Sequence, residues 1–292
     1  MNMEETEDLW RAALANRDPH AIERLLRCSA ALAKLLRRDE QPGSIEAAEL
    51  RGLLLLGGDG DVPFAADSPW DVPVGAGLTE AMAHLWAPVA GSCPRFLAAL
   101  RAEVLGLALV AVKGEYLLAY LYLADRSGDP PRDLADLPLR SRYESLEVLW
   151  GTAPTRFGPT DVVPTLDEPL PTAVRDLAAV HASLTSFDFD LRLDRFTTTL
   201  GASTLANYED EDPDDYDETD DFVRAVNGEF DRWIRFCTCD SAAEAYFLDM
   251  ADRDADGTPR VALSGLNGTS ERPGDPFWDW VDEALPSLIF CL

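Results

Sequence analysis

One loop of the sequence has the carboxylate spacing of a calcium site. The segment DRDADG, with Asp252, Asp254 and Asp256 at alternate positions, is how an EF-hand loop begins. An EF-hand also needs a bidentate glutamate at its twelfth position, and counting from Asp252 places Leu263 there. The flanking residues favour strands rather than helices. We therefore expect a turn between two strands and keep a calcium-binding module as an alternative.

The other reactive side chains lack the partners that their chemistry requires. Ser203 lies in GASTL, which begins like a nucleophile elbow but has leucine in place of the second glycine. Cys237 and Cys239 should share one face of a strand, yet no second Cys/His pair completes a metal site, so they are predicted to pack in the core. His181 is the best placed of three scattered histidines for a general base. Carboxylates are abundant, but nothing pairs them specifically, so the sequence predicts no enzyme and no cofactor.

Charge is the most unusual property of the chain. It has 53 acidic and 25 basic residues, for a net charge of −28. Such a surface repels nucleic acid and anionic membranes and attracts basic partners, although acidity can also serve only solubility or adaptation to salt. Met1–Asp8 is acidic where a signal peptide would be basic, and the five cysteines show no framework spacing. We expect a cytoplasmic protein with a protein partner.

The acidity is densest in the segment Glu209–Asp221, called here the acidic run. Ten of its thirteen residues are Asp or Glu. Because this density cannot bury a core and repels itself, we expect an exposed loop. The nearby segment FDFDLRLDRF alternates strictly and predicts a half-exposed strand with an acidic outer face. The predicted partner-binding residues are Glu209, Asp210, Glu211, Asp212, Asp214, Asp215, Tyr216, Asp217, Glu218, Asp220, Asp221, Asp188 and Asp190.

The elements that position these residues begin with a helix-rich region. Asp18-Pro19 is a good helix start, and Val104–Ala124, interrupted by Lys113-Gly114-Glu115, favours a buried hairpin over a membrane span. The segment DRSGDPPRD at Asp125–Asp133 is the best candidate for a domain boundary. Helices are predicted at Glu4–Ala15, from Pro19 to Arg38, and at Ile45–Leu56, Thr79–Trp86 and Pro94–Glu103.

The C-terminal half shows helix and strand signals in alternation. Arg142–Trp150 fits either a helix or a strand. A helix is predicted after Leu170-Pro171, strands at Trp233–Thr238 and Glu244–Met250, and a closing helix from Asp275-Pro276.

The order of these C-terminal segments resembles the SUKH superfamily. The segments are LPTAVRDLAAVHASL, then WIRFCTCD, YFLDM, DADGTPRV and PFWDWVDEAL, and they span roughly Leu170–Leu292. The resemblance implies an α+β fold with a mostly antiparallel sheet, and no catalysis. It also implies the role of many bacterial members, which are immunity proteins that bind and block toxins.

Together these features predict an α+β protein in two parts. Residues 1–130 would form a helix-rich region with an apolar hairpin, and residues 131–292 a SUKH-like sheet flanked by helices. The predicted function is toxin neutralisation by direct binding, with a basic and nucleic-acid-targeting toxin domain as the partner. A structural or regulatory scaffold is the alternative, since acidity that serves only solubility would leave the same composition.

Overall fold

A computed structural model provides the fold of most of the chain. It describes residues 18–27, 32, 35, 48–58, 61–124, 145–186, 188–194, 196, 199–206, 212–213, 216–217, 220–240, 243–265, 268–269 and 274–290. The predicted helix Glu4–Ala15 lies outside these residues.

One large antiparallel sheet organises the described part of the molecule. Its order is β1-β2-β3-β4-β7-β8-β9-β10-β11-β12, with β13 also paired to β11, while β5 and β6 form a separate two-stranded sheet. Along this path the strands follow one another in sequence order, and helices or the small β5–β6 sheet lie in the longer connections, such as those from β1 to β2 and from β4 to β7. The strands are β1 Glu49–Leu55, β2 Val104–Val112, β3 Glu115–Ala124, β4 Ser145–Thr152, β5 Val162–Val163, β6 Glu168–Pro169, β7 Ser183–Thr185, β8 Phe189–Arg192, β9 Trp233–Cys239, β10 Glu244–Arg253, β11 Pro259–Gly265, β12 Gly268–Thr269 and β13 Asp275–Pro276.

Helices lie on both faces of this sheet. Strand residues alternate between clusters: Leu107 and Leu109 join the largest cluster, whereas Ala108 and Val110 join a second one on the opposite face. A third cluster around Phe230 shares the second face at the C-terminal end of the sheet. The helices are α1 Pro19–Arg27, α2 Leu78–Leu85, α3 Pro94–Glu103, α4 Thr172–Ala178, α5 Leu200–Leu205, α6 Asp221–Val226 and α7 Phe277–Phe290.

The structure confirms several helix and turn predictions that depend on short sequence patterns. The carboxylate of Asp18 accepts a hydrogen bond from the backbone of His20 at 3.0 Å, which caps α1 at its predicted start. The apolar hairpin is β2–β3, and its turn places Lys113 and Gly114 at φ 53° and 87°, the conformation of a two-residue type I′ turn. Helix α3 has the predicted bounds, and α7 begins directly after Asp275-Pro276.

The predicted helix Ile45–Leu56 is wrong. Most of its described residues form β1, which pairs with β2 from Glu49 to Leu55. A short apolar run such as GLLLL fits a buried strand or a buried helix, and periodicity does not separate them. Long-range packing decides: a Cβ on Gly52 would overlap the backbone of Phe64, and Val62 pairs with Leu53 on the outer edge of β1.

The predicted domain boundary at 125–133 lies outside the described residues. On its two sides, β3 and β4 pair along eight residues, from Leu117–Thr152 to Ala124–Ser145. The largest cluster contains residues of both predicted parts, including Leu118 and Leu248. One sheet and one core therefore join the two parts. Among the helices of the described ranges, none has the length and apolar character needed to cross a membrane.

Candidate partner-binding surface

The structure describes seven of the predicted partner-binding residues. They are Asp188, Asp190, Asp212, Tyr216, Asp217, Asp220 and Asp221. Outside the described residues lie Glu209, Asp210, Glu211, Asp214, Asp215 and Glu218.

The C-terminal end of the acidic run begins helix α6. The carboxylate of Asp220 accepts a hydrogen bond from the backbone N–H of Phe222 at 2.8 Å, so Asp220 is the N-cap. A carboxylate here satisfies a backbone donor that the helix leaves without a partner. Asp220 therefore stabilises the helix itself. Asp221 is also paired within the molecule, because its carboxylate accepts from Arg224.

Arg224 is the centre of a cluster that ties α6 to two neighbouring segments. Its guanidinium donates to both carboxylate oxygens of Glu229, at 3.0 and 2.8 Å, and to Asp221 at 3.1 Å. It also contacts Thr269 in β12 and lies 4.6 Å from the centre of the Phe230 ring. The hydrogen bond with Glu229 raises the pKa of Arg224. Sequence reasoning missed this residue, although its i, i+3 spacing from Asp221 is a signal for a helical ion pair.

An aromatic contact attaches the middle of the acidic run to the same helix. The rings of Tyr216 and Phe222 pack edge to face with centroids 5.3 Å apart. Phe222 is buried and Tyr216 half-buried, whereas the carboxylates of Asp212 and Asp217 are exposed. The described part of the run thus combines an anchored aromatic residue with exposed negative charge.

Asp190 corrects the prediction of an exposed acidic strand face. Asp190 is only 8% exposed, and its carboxylate accepts a hydrogen bond from the Thr185 hydroxyl at 2.8 Å. Asp188, next to β8, is half-buried. Alternation correctly separates Phe189 and Leu191 from the aspartates, but it does not reveal that the second face of the sheet is covered as well.

Arginines near the C-terminal sheet are held by carboxylates of the same chain. The guanidinium nitrogens of Arg232 and Arg253 lie 2.7 and 3.4 Å from carboxylate oxygens of Glu168. A guanidinium nitrogen of Arg260 lies 3.6 Å from a carboxylate oxygen of Asp252. These internal pairs neutralise much of the local positive charge.

His181 lies inside the largest core cluster rather than at a surface. Its Nδ1 is 3.0 Å from the carbonyl oxygen of Thr152, and its Nε2 is 2.6 Å from the hydroxyl of Tyr120. The indole of Trp86 in turn donates to that hydroxyl at 3.1 Å. Burial lowers the pKa of His181 to about 4. A buried neutral ring with both nitrogens engaged suits a structural role better than that of a general base.

The remaining candidate nucleophiles, Cys237, Cys239 and Ser203, pack in the core or bond to the backbone. Cys237 and Cys239 lie in the core on one face of β9, as predicted, and burial raises the pKa of the Cys237 thiol. That shift opposes formation of the reactive thiolate. Ser203 lies on α5, and its hydroxyl donates to the carbonyl of Leu200 at 3.0 Å.

The DRDADG segment forms the end of β10 and its turn to β11, as predicted. The carboxylate of Asp254 accepts backbone hydrogen bonds from Asp256 at 3.0 Å and Thr258 at 2.9 Å, which is an Asx-turn arrangement. Asp252 faces Arg260. Within the described ranges, no group of three or more His, Cys, Asp or Glu side chains is placed to hold a metal ion.

Comparisons with known proteins add no relative. No family model, curated protein or solved structure matches the chain.

Proposed function

We propose that this chain is a non-catalytic binding protein whose acidic surface binds a basic protein partner. The partner class that fits best is a toxin domain that acts on nucleic acid, which makes the chain an immunity protein. The resemblance of residues 170–292 to the SUKH superfamily supports the same role. The proposal places the contact at the acidic run and at exposed carboxylates around it.

The observation that carries the proposal is the net charge of −28 together with its distribution. Arg224, Arg232 and Arg253 are paired internally, and Asp217 in the acidic run is exposed. A domain that binds nucleic acid carries a basic groove. Carboxylates that follow one another closely in sequence would occupy the positions of phosphates there and would accelerate association.

Binding and rescue by charge-neutralised variants test this proposal. The probe is the product of the adjacent gene, expressed with and without this chain in a host whose growth is followed. The variant replaces eight acids of the run by their amides and keeps Asp220 and Asp221, which stabilise α6. We expect the wild-type chain to restore growth, and the variant to bind about tenfold or more weakly at low salt. The substitutions are Glu209→Gln, Asp210→Asn, Glu211→Gln, Asp212→Asn, Asp214→Asn, Asp215→Asn, Asp217→Asn and Glu218→Gln.

A matched control removes the same number of charges elsewhere. Its eight acids are exposed, so both variants have the same net charge. Equal losses in the two variants would assign the acidity to a general effect, and absence of both binding and rescue would contradict the proposal. Calorimetric titrations at about 50 and about 300 mM salt compare the affinities and their salt dependence. The control substitutions are Asp71→Asn, Glu80→Gln, Glu115→Gln, Asp167→Asn, Asp176→Asn, Asp256→Asn, Asp275→Asn and Asp279→Asn.

A further inference from the structure

A buried chain of hydrogen bonds crosses the largest core cluster. It runs from the indole of Trp86 through the hydroxyl of Tyr120 to Nε2 of His181, and from Nδ1 of His181 to the carbonyl of Thr152. Residues 86, 120 and 181 are each no more than 1% exposed. This chain of hydrogen bonds connects the C-terminal end of α2, the centre of β3, the end of β4 and the segment before β7.

The acceptors in this chain determine the protonation state of the imidazole. A backbone carbonyl only accepts, so Nδ1 of His181 carries the proton that is donated to Thr152. Nε2 then accepts a hydrogen bond from the hydroxyl of Tyr120, and the oxygen of that hydroxyl accepts one from the indole N–H of Trp86. Every donor has an acceptor, and the ring is neutral.

A second proton on His181 would break this order. Nε2–H would point at the Tyr120 oxygen, which already accepts from Trp86, and the Tyr120 proton would lose its acceptor. A charged ring and an unpaired hydroxyl in a dry core both cost free energy. Protonation therefore disfavours the closed site relative to an open, hydrated one.

The chain also lies beside the narrowest junction inside the sheet, called here the β4–β7 seam. Two residue pairs join these strands, Trp150 with Thr185 and Gly151 with Leu184, whereas eight pairs join β3 to β4. The side chain of Thr152 reinforces the seam, because its Oγ1 accepts from the backbone N–H of Ser183 at 2.9 Å. The imidazole packs directly on Gly151, where an added Cβ would overlap the ring.

The titratable groups around the ring do not supply a compensating charge. From β3 the phenol of Tyr120 faces the ring, and burial raises its pKa. From β4 the ring meets the Gly151 backbone and the Thr152 carbonyl, and from the preceding loop and α2 it meets the indoles of Trp70 and Trp86. The charged side chains of these elements lie elsewhere: Glu80, His84 and Glu115 are exposed, and Glu147 accepts from Tyr122. On α4, which precedes His181, Asp176 is exposed and Arg175 donates to the carbonyl of Gly158.

We propose that His181 is an acid-sensitive latch on the β4–β7 seam, and that proton uptake at Nε2 opens the seam locally. Solvent supplies the proton, and the charged ring becomes hydrated in the open state. This inference is independent of the proposed toxin partner.

The expected effect follows from linkage. Burial holds the pKa of His181 at about 4 in the closed state, against 6.5 for a free imidazole. The closed seam is therefore fully favoured above the higher value and loses stability as the pH falls from there towards the lower one. The open fraction should rise about 30-fold between pH 8 and pH 5.

Hydrogen exchange of the wild-type protein measures this effect. Protection factors correct for the intrinsic pH dependence of exchange, and the seam amides of Ala182 and Ser183 report opening. The β2–β3 hairpin is the internal reference and should keep its protection over the same range. His181→Gln, which keeps an amide donor and acceptor but does not titrate, should abolish the rise, and the matched control His84→Gln, at an exposed position of α2, should retain it.

Two results would overturn the latch. One is seam protection that does not change with pH in the wild type, and the other is an equal rise in His181→Gln. Should that variant not fold, NMR of the wild-type imidazole decides. The ring must then titrate well below 6.5 while seam protection falls as the pH is lowered, and a ring that titrates near 6.5 while the seam keeps its protection contradicts the proposal.

Discussion

At the scale of single residues, the buried polar groups around β7 are matched in donor–acceptor pairs. Thr185 donates to Asp190, and Ser183 donates to Thr152, within the covered face of the sheet. The chain through His181 follows the same rule. Such matching is expected because an unpaired buried group costs about 1–3 kcal/mol.

Replacement of Gly151 should disturb the packing of the His181 ring on β4 directly. Gly151→Ala should destabilise the fold by about 1–3 kcal/mol, because the new methyl group forces the His181 ring off the sheet. Urea unfolding measures the change. The control is Gly91→Ala, where an added Cβ meets no atom within 4 Å. Equal effects of the two substitutions would contradict close packing of the imidazole on β4.

At the scale of elements, one helix supplies the cap of another. The N-cap position of α3 is Cys93, whose side chain makes no capping hydrogen bond. The carboxylate of Asp282, on α7, accepts from the backbone N–H groups of Arg95 at 2.6 Å and Phe96 at 3.0 Å instead. Arg95 also pairs with Glu283. The contact holds the closing helix against α3.

Removal of this tertiary cap should loosen both helices. Asp282→Ala should lower the free energy of unfolding by about 1–2 kcal/mol, and Asp282→Asn by less, since an amide oxygen still accepts. The matched control is Asp279→Ala, an exposed acid one turn earlier on α7, with an expected change within about 0.5 kcal/mol. Chemical denaturation measures all three. Equal losses at 279 and 282 would show that only charge on α7 matters.

At the scale of the whole molecule, the sheet is the structural unit. The pairing of β3 with β4 bridges the point where composition suggests a linker. Apolar residues on both faces of β2 and β3 are covered by helices and by strands from either side of that point. Separation there would expose a strand edge and much of the core.

The intact protein should therefore unfold as one unit near neutral pH. Calorimetry should show a single transition with equal van't Hoff and calorimetric enthalpies. Fragments 1–130 and 131–292, expressed separately, should lack fixed near-UV circular dichroism and should associate through the exposed edges of β3 and β4. A fragment that melts cooperatively by itself would show that the division at residue 130 is also a division of the fold.

Several features of the protein could be predicted from sequence because their causes are local. The Asp18-Pro19 start of α1 and the Lys113-Gly114 turn depend on neighbours a few residues apart. The Asp254 turn belongs to the same class. Net charge needs only composition, so the acidic surface is a property of the sequence itself.

Other features were decided by tertiary structure. The apolar run in β1 became a strand because β2 and the loop at Val62 flank it, and Asp190 is buried because the second face of the sheet is covered. The cap from Asp282 spans 187 residues. The reason is common to all three: periodicity reports which side chains share a face, whereas what packs on that face is set by segments distant in sequence.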